Sequence, residues 1–434
     1  MLKMFSRAML ALLLAASAAL PAQAQDIEPS AAFEQRAQEL ASIINGAGDP
    51  NDYFAPSFLA QVPAAQFRIL STQITAQQGQ AGAASAYRMT TPNQGQFDLA
   101  FANAIGDIRM TVSEEGDHKV VGLLITGFRT ENDSIEAVRT DFEALSGKAG
   151  FTVARLTDQG PVTVADYRGD ALLSTGSAFK LYILAELADQ VAAGERSWSD
   201  VVMLDTKSFP SGVLQTWPQG SPVTLATLAT MMISISDNTA TDMLLKTLGR
   251  ERVEARLAKI GHSDPAAILP FLSTVEAFAL KMDGNADLRN RFMAASEAQQ
   301  RDILEQNQDK LGLGSVDIVQ LTGAPRFVEA IEWPASPRDM VALLDHLRTT
   351  DAPLARAIMA VNPGLGAAHT DGWDYVGYKG GSEPGVIFLA WLACAKSGEC
   401  YAIVGGQTDP DAAVDNDAVT ALMGRLLQLT LPAE

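Results

Sequence analysis

Cysteine and histidine are scarce, with two cysteines and four histidines in 434 residues. His118, His262, His346 and His369 are scattered, and neither they nor Cys394 and Cys400 fall at metal-ligand spacing, so no metal and no other cofactor is expected. Basic residues are also few: 32 Lys and Arg stand against 51 Asp and Glu, for a formal charge of −19. A protein that tracks a phosphate backbone needs a basic stripe, so nucleic acid is not an expected partner. Internal repeats and low-complexity linkers are missing as well. What remains is 47% hydrophobic and 19% charged, enough to bury an ordinary core and long enough for more than one domain.

The first 24 residues read as a secretory signal peptide. Lys3 and Arg7 precede an apolar stretch of 13 residues, Ala8 to Leu20, and Ala22-Gln23-Ala24 is a small-x-small cleavage signal. The apolar stretch is shorter than the roughly 20 residues that a bilayer demands, and no later run supplies a span. Cleavage after Ala24 removes two positive charges and leaves a mature charge of −21. The expectation is a secreted or periplasmic acidic protein with no membrane span after cleavage.

Cys394 and Cys400 flank Ala395-Lys396-Ser397-Gly398-Glu399, a polar, Gly-containing turn between two apolar runs. Facing positions of such a hairpin bring side chains within bonding distance, and an exported protein meets an oxidising compartment, so a disulfide is expected. The alternative is a pair of small buried thiols.

Periodicity divides the chain in two. Phe33, Ala37, Leu40 and Ile44 recur at helical spacing, and Ala64 to Gln78 reads as a second helix. Strands follow over 85–91, 96–103, 107–112 and 119–128, with turns near Gly95, Gly106 and Gly116. Residues 26–132 are therefore expected to form a small α+β domain. A second domain, 133–434, begins with a helical pattern over 133–147 and strands over 151–156 and 162–168. It continues as mainly helical from Ala178 to about Glu332, then returns to strands over 376–406 and a helical stretch from about Asp411 to Leu429. A sheet assembled from both ends of a segment with helices between gives an α/β sandwich.

Three short motifs in the second domain carry chemistry. Ser177-Ala178-Phe179-Lys180 opens a helix, and residues three apart share a face, so the hydroxyl and the amine can meet. A helix start adds free N–H groups suited to an oxyanion, and a desolvated lysine can act as base for the serine. Of the eleven lysines only Lys180 has a serine three residues before it. Ser236-Asp237-Asn238 follows the apolar run Leu228 to Ile235; alone it also reads as a helix cap. Lys379-Gly380-Gly381-Ser382 continues the strand-like Tyr375 to Tyr378; alone it also reads as a glycine turn. Glycines there let a substrate backbone approach a strand edge closely.

In this order and context the motifs resemble the signature set of the penicillin-recognising serine acyltransferases. Residues from about Asp133 to Glu434 resemble the class A β-lactamase and D,D-peptidase superfamily. The two-part layout is similar to that of β-lactamase-like proteins of clavam producers, which join a steroid-isomerase-like domain to a class A β-lactamase-like domain. The resemblance implies a β-lactamase/transpeptidase-like fold, an antiparallel sheet with a helical subdomain, beside the smaller α+β domain. It also implies roles: Ser177 as acylated nucleophile, Lys180 as its base, and Ser236 as proton relay to the leaving group. Asn238 would bond a substrate amide and brace the lysine, and Lys379 would help bind a substrate carboxylate. The N–H groups of Ser177 and Ser382 would form the oxyanion hole, with Gly381 and Ser382 contacting substrate.

Two departures from the family pattern stand out. Gly380 takes the place of the threonine in Lys-Thr-Gly, although Ser382 restores a hydroxyl nearby. No Glu-x-x-Leu-Asn loop for the deacylating water is visible; Glu329 and Glu332 lie where it should fall, just before Ser336-Pro337-Arg338, and are the candidate deacylation bases. The stretch 264–308 reads as an insertion, placing Lys379 143 residues after Ser236 and able to roof the cleft. The expected function is an exported serine hydrolase that cleaves β-lactam amides or related esters through an acyl-enzyme on Ser177, with a small molecule as its partner. A cell-wall D,D-peptidase or transpeptidase acting on peptidoglycan stems is one alternative. A non-catalytic ligand-binding protein with a vestigial site is another.

Overall fold

Ser30 starts the first helix: its hydroxyl accepts from the Phe33 N–H at 3.1 Å, and the helix α1 (Ala31–Ile44) buries Phe33, Ala37, Leu40 and Ile44 along one face. A second helix, α2 (Ala64–Gln78), precedes a four-stranded sheet of β1 (Ala81–Thr91), β2 (Gln94–Phe101), β3 (Ile105–Val112) and β4 (Val120–Arg129) in sequence order. Phe33 meets Phe97 of β2 edge-on at 5.9 Å, which fastens α1 to the sheet. The computed structural model describes residues 27–130 and 133–432. The expected signal peptide lies outside the described residues. Two compact units divide between Phe128 and Arg129.

Two turns differ from expectation. The β1–β2 turn lies at Pro92-Asn93 and the β2–β3 turn at Ala102 to Ala104, so Gly95 and Gly106 stand inside strands. Gly95 serves close packing instead: a Cβ there would stand 2.8 Å from the Arg88 carbonyl oxygen and 2.6 Å from the Met89 sulfur. A glycine in a strand marks such an approach as often as a turn.

The second unit is built from α3 (Ile135–Glu143), β5 (Lys148–Thr157), β6 (Gly160–Tyr167), α4 (Lys180–Ala192), α5 (Leu225–Ser234), α6 (Asn238–Leu248), α7 (Thr274–Lys281), α8 (Ala286–Ala294), α9 (Glu297–Gln306), α10 (Pro337–Thr349), β7 (Trp373–Glu383), β8 (Val386–Ala395), β9 (Cys400–Thr408) and α11 (Asn416–Thr430), with a further helix over Arg250–Ile260 and shorter helices and strands between. Its sheet runs β7-β8-β9-β5-β6, antiparallel throughout. The strands from the end of the chain pair with those from its start across β9 and β5, which encloses the helices between them. β8 is apolar at every position from Val386 to Ala393 because it is covered twice. Phe388, Ala390 and Leu392 face the helical body, whereas Ile387, Leu389 and Trp391 face α3 and α11. This is the antiparallel α/β sandwich with a helical subdomain; the first unit is the smaller α+β fold.

At the centre of the helical body lies α4, whose Leu181, Ile183, Leu184 and Leu187 are fully buried. Each such side chain contributes about 1.5–3 kcal/mol relative to exposure, so the helix that follows Ser177 is held rigidly. Cys394 and Cys400 face each other across β8 and β9 and are joined by a disulfide. No helix among the described residues is long and apolar enough to cross a membrane.

Candidate active site

Ser177 sits in a 3₁₀ turn, Gly176–Phe179, and the α-helix proper begins only at Lys180, a turn later than the motif alone implies. The tighter turn is anchored by Phe179, which stacks on Trp333 at 3.8 Å. Lys180 is fully buried, and its Nζ donates to Asn238 Oδ1 at 2.6 Å and to the Ser236 carbonyl at 2.7 Å, with Ser236 Oγ at 3.1 Å. Burial first, and the nearby Lys379 second, hold this amine well below the ordinary lysine range. Burial thus disfavours its charged form.

Ser236 and Asn238 reach Lys180 because Asp237 organises the junction between α5 and α6. Its carboxylate caps α6 at the Ala240 N–H, 2.9 Å away, and also accepts from the N–H groups of Val213 at 2.6 Å and Leu214 at 2.9 Å. Asp237 is thus a helix cap, and the same turn brings Ser236 and Asn238 to Lys180. Ser236 adopts a left-handed conformation, φ 58°, which costs a non-glycine residue roughly 1–3 kcal/mol. Its carbonyl is fixed from both sides, by Lys180 and by Ser211 Oγ at 2.6 Å. Ser211 carries no motif and was not foreseen.

Lys379 approaches from β7, the edge strand of the sheet. Its Nζ is 3.1 Å from Ser236 Oγ and 2.5 Å from the Gly380 carbonyl, and burial lowers it to about 7. Gly381 lies against the serine turn so closely that a Cβ there would stand 2.0 Å from the Ser177 backbone nitrogen and 2.4 Å from the Thr175 oxygen. Gly176 is equally confined: its φ is 45°, and a Cβ would come within 3.0 Å of the Ser382 nitrogen. The two glycines bring the N–H groups of Ser177 and Ser382 to the same corner, as an oxyanion site requires. Gly380, in the place of the family threonine, has the Tyr378 hydroxyl 2.0 Å from its ideal Cβ position. The phenol fills the space that a threonine side chain would occupy.

Ser177, Ser236, Asn238, Lys379, Gly381 and Ser382 all line one cleft of about 640 Å³. Phe278 of α7 and Leu321 form part of its wall. Of the expected insertion, α7 is the part that reaches the cleft; α8 and α9 supply none of its lining residues. Asp242 of α6 fixes α7 by accepting from the N–H groups of Thr274 at 2.7 Å and Val275 at 3.0 Å.

The two candidate glutamates part company. Glu329 is exposed and pairs with Lys148 at 2.6 Å, and it lines neither the cleft nor the smaller cavity beside it. Glu332 is buried and lines that smaller cavity, about 30 Å³, together with Ser177 and Asn238. This space suffices for one water. Lys281 Nζ donates to Glu332 Oε1 at 2.8 Å and to Glu383 Oε1 at 2.5 Å. Neither Lys281 nor Glu383 stands in a motif. Among the described residues no three His, Cys, Asp or Glu side chains gather as metal ligands.

Residues 133–361, just over half of the chain, match the family described as the Beta-lactamase enzyme family. No curated protein matches the sequence. Solved structures similar to this chain include a beta-lactamase from Sphaerobacter thermophilus, 23% identical over 68% of this chain and 95% of that one, with a TM-score of 0.47. A beta-lactamase from Chitinophaga pinensis is 19% identical over 68% of this chain and 96% of its own, at 0.45. PBP-A is 17% identical over 68% and 94%, at 0.46. The chain belongs to the Beta-lactamase enzyme family.

Proposed function

We propose that this protein is a serine hydrolase that forms an acyl-enzyme on Ser177 and acts on β-lactam amides or related esters. The observation that carries this reading is the fully buried Lys180 amine, held by Ser236 and Asn238, which line the same cleft as Ser177. In this scheme Lys180 takes the Ser177 proton as Oγ attacks the substrate carbonyl. The N–H groups of Ser177 and Ser382 stabilise the oxyanion; removing one such donor typically costs about 3–4 kcal/mol. Ser236 stands between two lysine amines and passes the proton to the leaving group. Protonated Lys379 attracts a substrate carboxylate, Asn238 bonds the substrate amide, and Gly381 and Ser382 present the strand edge. Glu332, at the water-sized cavity, is the candidate base for hydrolysis of the acyl group.

Incubation with a fluorescent penicillin and mapping of the adduct tests the reading. Label on Ser177, abolished in Ser177→Ala, is expected; label elsewhere, or undiminished label in that variant, overturns it. A second reading, a D,D-peptidase acting on peptidoglycan stems, is favoured by the unpaired edge of β7, which offers main-chain hydrogen bonds to an extended peptide. Release of D-alanine from a stem-peptide mimic, without hydrolysis of penicillin or ester, would select it. Export through the N-terminal signal is part of the proposal, and the disulfide suits an oxidising compartment. Sequencing the N-terminus of protein recovered from the periplasm or medium tests it, with Gln25 expected first.

A further inference from the structure

Three buried ionisable groups meet beside Ser177 with unequal charge. Lys281 ends α7, Glu332 lies on the segment before α10, and Glu383 ends β7; the lysine is fully buried and the glutamate side chains are 3% and 14% exposed. One ammonium faces two carboxylates at hydrogen-bond distance. Lys281 satisfies one oxygen of each, but Glu332 Oε2 is buried with no hydrogen-bond donor against it. A buried carboxylate oxygen without a donor is costly, and so is a second uncompensated charge. Both costs vanish if one proton resides on the pair, since the protonated glutamate then donates to the other.

The position of the pair gives that proton a use. Both glutamates line the 30 Å³ cavity that also contacts Ser177 and Asn238. We propose that Lys281 and Glu383 are positioning residues for release of the acyl group: they hold Glu332 as a carboxylate facing a water beside Ser177, with one proton kept between the two glutamates. This rests on the reading of Ser177 as the acylated residue. The water oxygen bonds to the acyl carbon while its proton passes to Glu332. Collapse of the tetrahedral intermediate re-forms the carbonyl, breaks the bond to Ser177 Oγ and returns that proton to Oγ. The product leaves as a carboxylic acid, and water is the sole co-reactant.

The electrostatics agree with this division. Burial opposes charge on all three groups, but Lys281 and the contact with Glu383 keep Glu332 below its ordinary range. Burial and the neighbouring Glu332 push Glu383 well above its own. Other charges near the cluster have partners of their own. On α7, Glu276 pairs with Arg250; after it, Asp283 pairs with Arg326; on α9, Glu297 pairs with Arg301. Arg289 of α8 donates to the Leu280 and Met282 carbonyls on either side of Lys281. Lys379 lines the main cleft, and Lys180 meets it at Ser236.

The test uses the full-length protein in two measurements. Infrared difference spectra at neutral pH should show the carbonyl stretch of a buried protonated carboxyl in the wild type, lost in Glu383→Gln and kept in the surface control Glu329→Gln. Its absence from the wild type overturns the shared proton. Release of the penicilloyl group is then followed across pH. Lys281→Met should slow it about tenfold or more near pH 5 and far less near pH 8, because Glu332 titrates higher without its cation. Lys281→Arg should restore the acid limb. Glu383→Gln, which mimics the neutral acid, should remove an alkaline inflection seen in the wild type. Slowing by the same factor at every pH in Lys281→Met, or a Glu383→Gln profile superimposable on wild type, overturns the positioning role alone. A protein whose Ser177 takes no label overturns the acyl-enzyme reading and this inference together.

Discussion

Lys379 and Lys180 converge on a single oxygen: each Nζ lies 3.1 Å from Ser236 Oγ. Two ammonium groups cannot share such a site cheaply, and burial lowers both amines, Lys180 well below its usual range and Lys379 to about 7. Lys379 thus carries its charge below about pH 7 and loses it above. The ratio of acylation rates for a carboxylate-bearing penicillin over a neutral ester should fall about tenfold or more from pH 6 to pH 9, the worth of one charged hydrogen bond. Lys379→Met should flatten the ratio at its low value. A ratio independent of pH in the wild type would sink the assignment of Lys379 to the substrate carboxylate.

Adding a side chain at Gly380 or Gly381 of β7 should have different consequences. Gly381→Ala forces a Cβ against the Ser177 backbone nitrogen, 2.0 Å away, and displaces the proposed oxyanion corner, so acylation should fall by about 10²–10³. Gly380→Thr meets the Tyr378 hydroxyl instead and should destabilise the fold by about 1–3 kcal/mol. Combining it with Tyr378→Ala should recover part of that loss. Additive effects in urea unfolding would show that the phenol does not occupy the threonine's place.

Asp237 is buried and accepts three backbone N–H bonds at the turn that strains Ser236. Asp237→Ala leaves those donors without partners and should cost about 3–5 kcal/mol, with acylation reduced in the surviving folded protein. Urea unfolding combined with penicillin labelling reads both effects; a loss under about 1 kcal/mol would contradict the organising role.

The disulfide closes the β8–β9 turn. Cys394 stands four residues along β8 from Ala390, the cross-strand partner of Lys379, or about 13 Å of extended strand. Replacing both cysteines by serine should cost about 2 kcal/mol through loop entropy and leave acylation unchanged. An acylation rate that falls with reduction would tie the hairpin end to the site.

Much of the fold could be read along the chain. The apolar run of β8, the alternation of β5 and the helical repeats of α1, α4 and α11 reflect burial on one face or two, which sequence records at fixed period. The turns near Gly95 and Gly106 were misplaced because a glycine can answer to a neighbouring strand as well as to a reversal. The extent of the roof over the cleft was likewise invisible, since helical periodicity states which face is covered and not by what.

What the sequence alone determined was the local geometry of the site: a serine one turn before a lysine, a capped helix start, a strand bearing two glycines. Each depends on neighbours within a few residues, so the polymer itself encodes it. Only the tertiary structure separates the surroundings of Glu329 from those of Glu332. They stand three residues apart on a segment without period, and one turns outward to Lys148 while the other turns inward to Lys281 and Glu383. Lys281 meets partners 51 and 102 residues along the chain, and their meeting is a property of the packed chain.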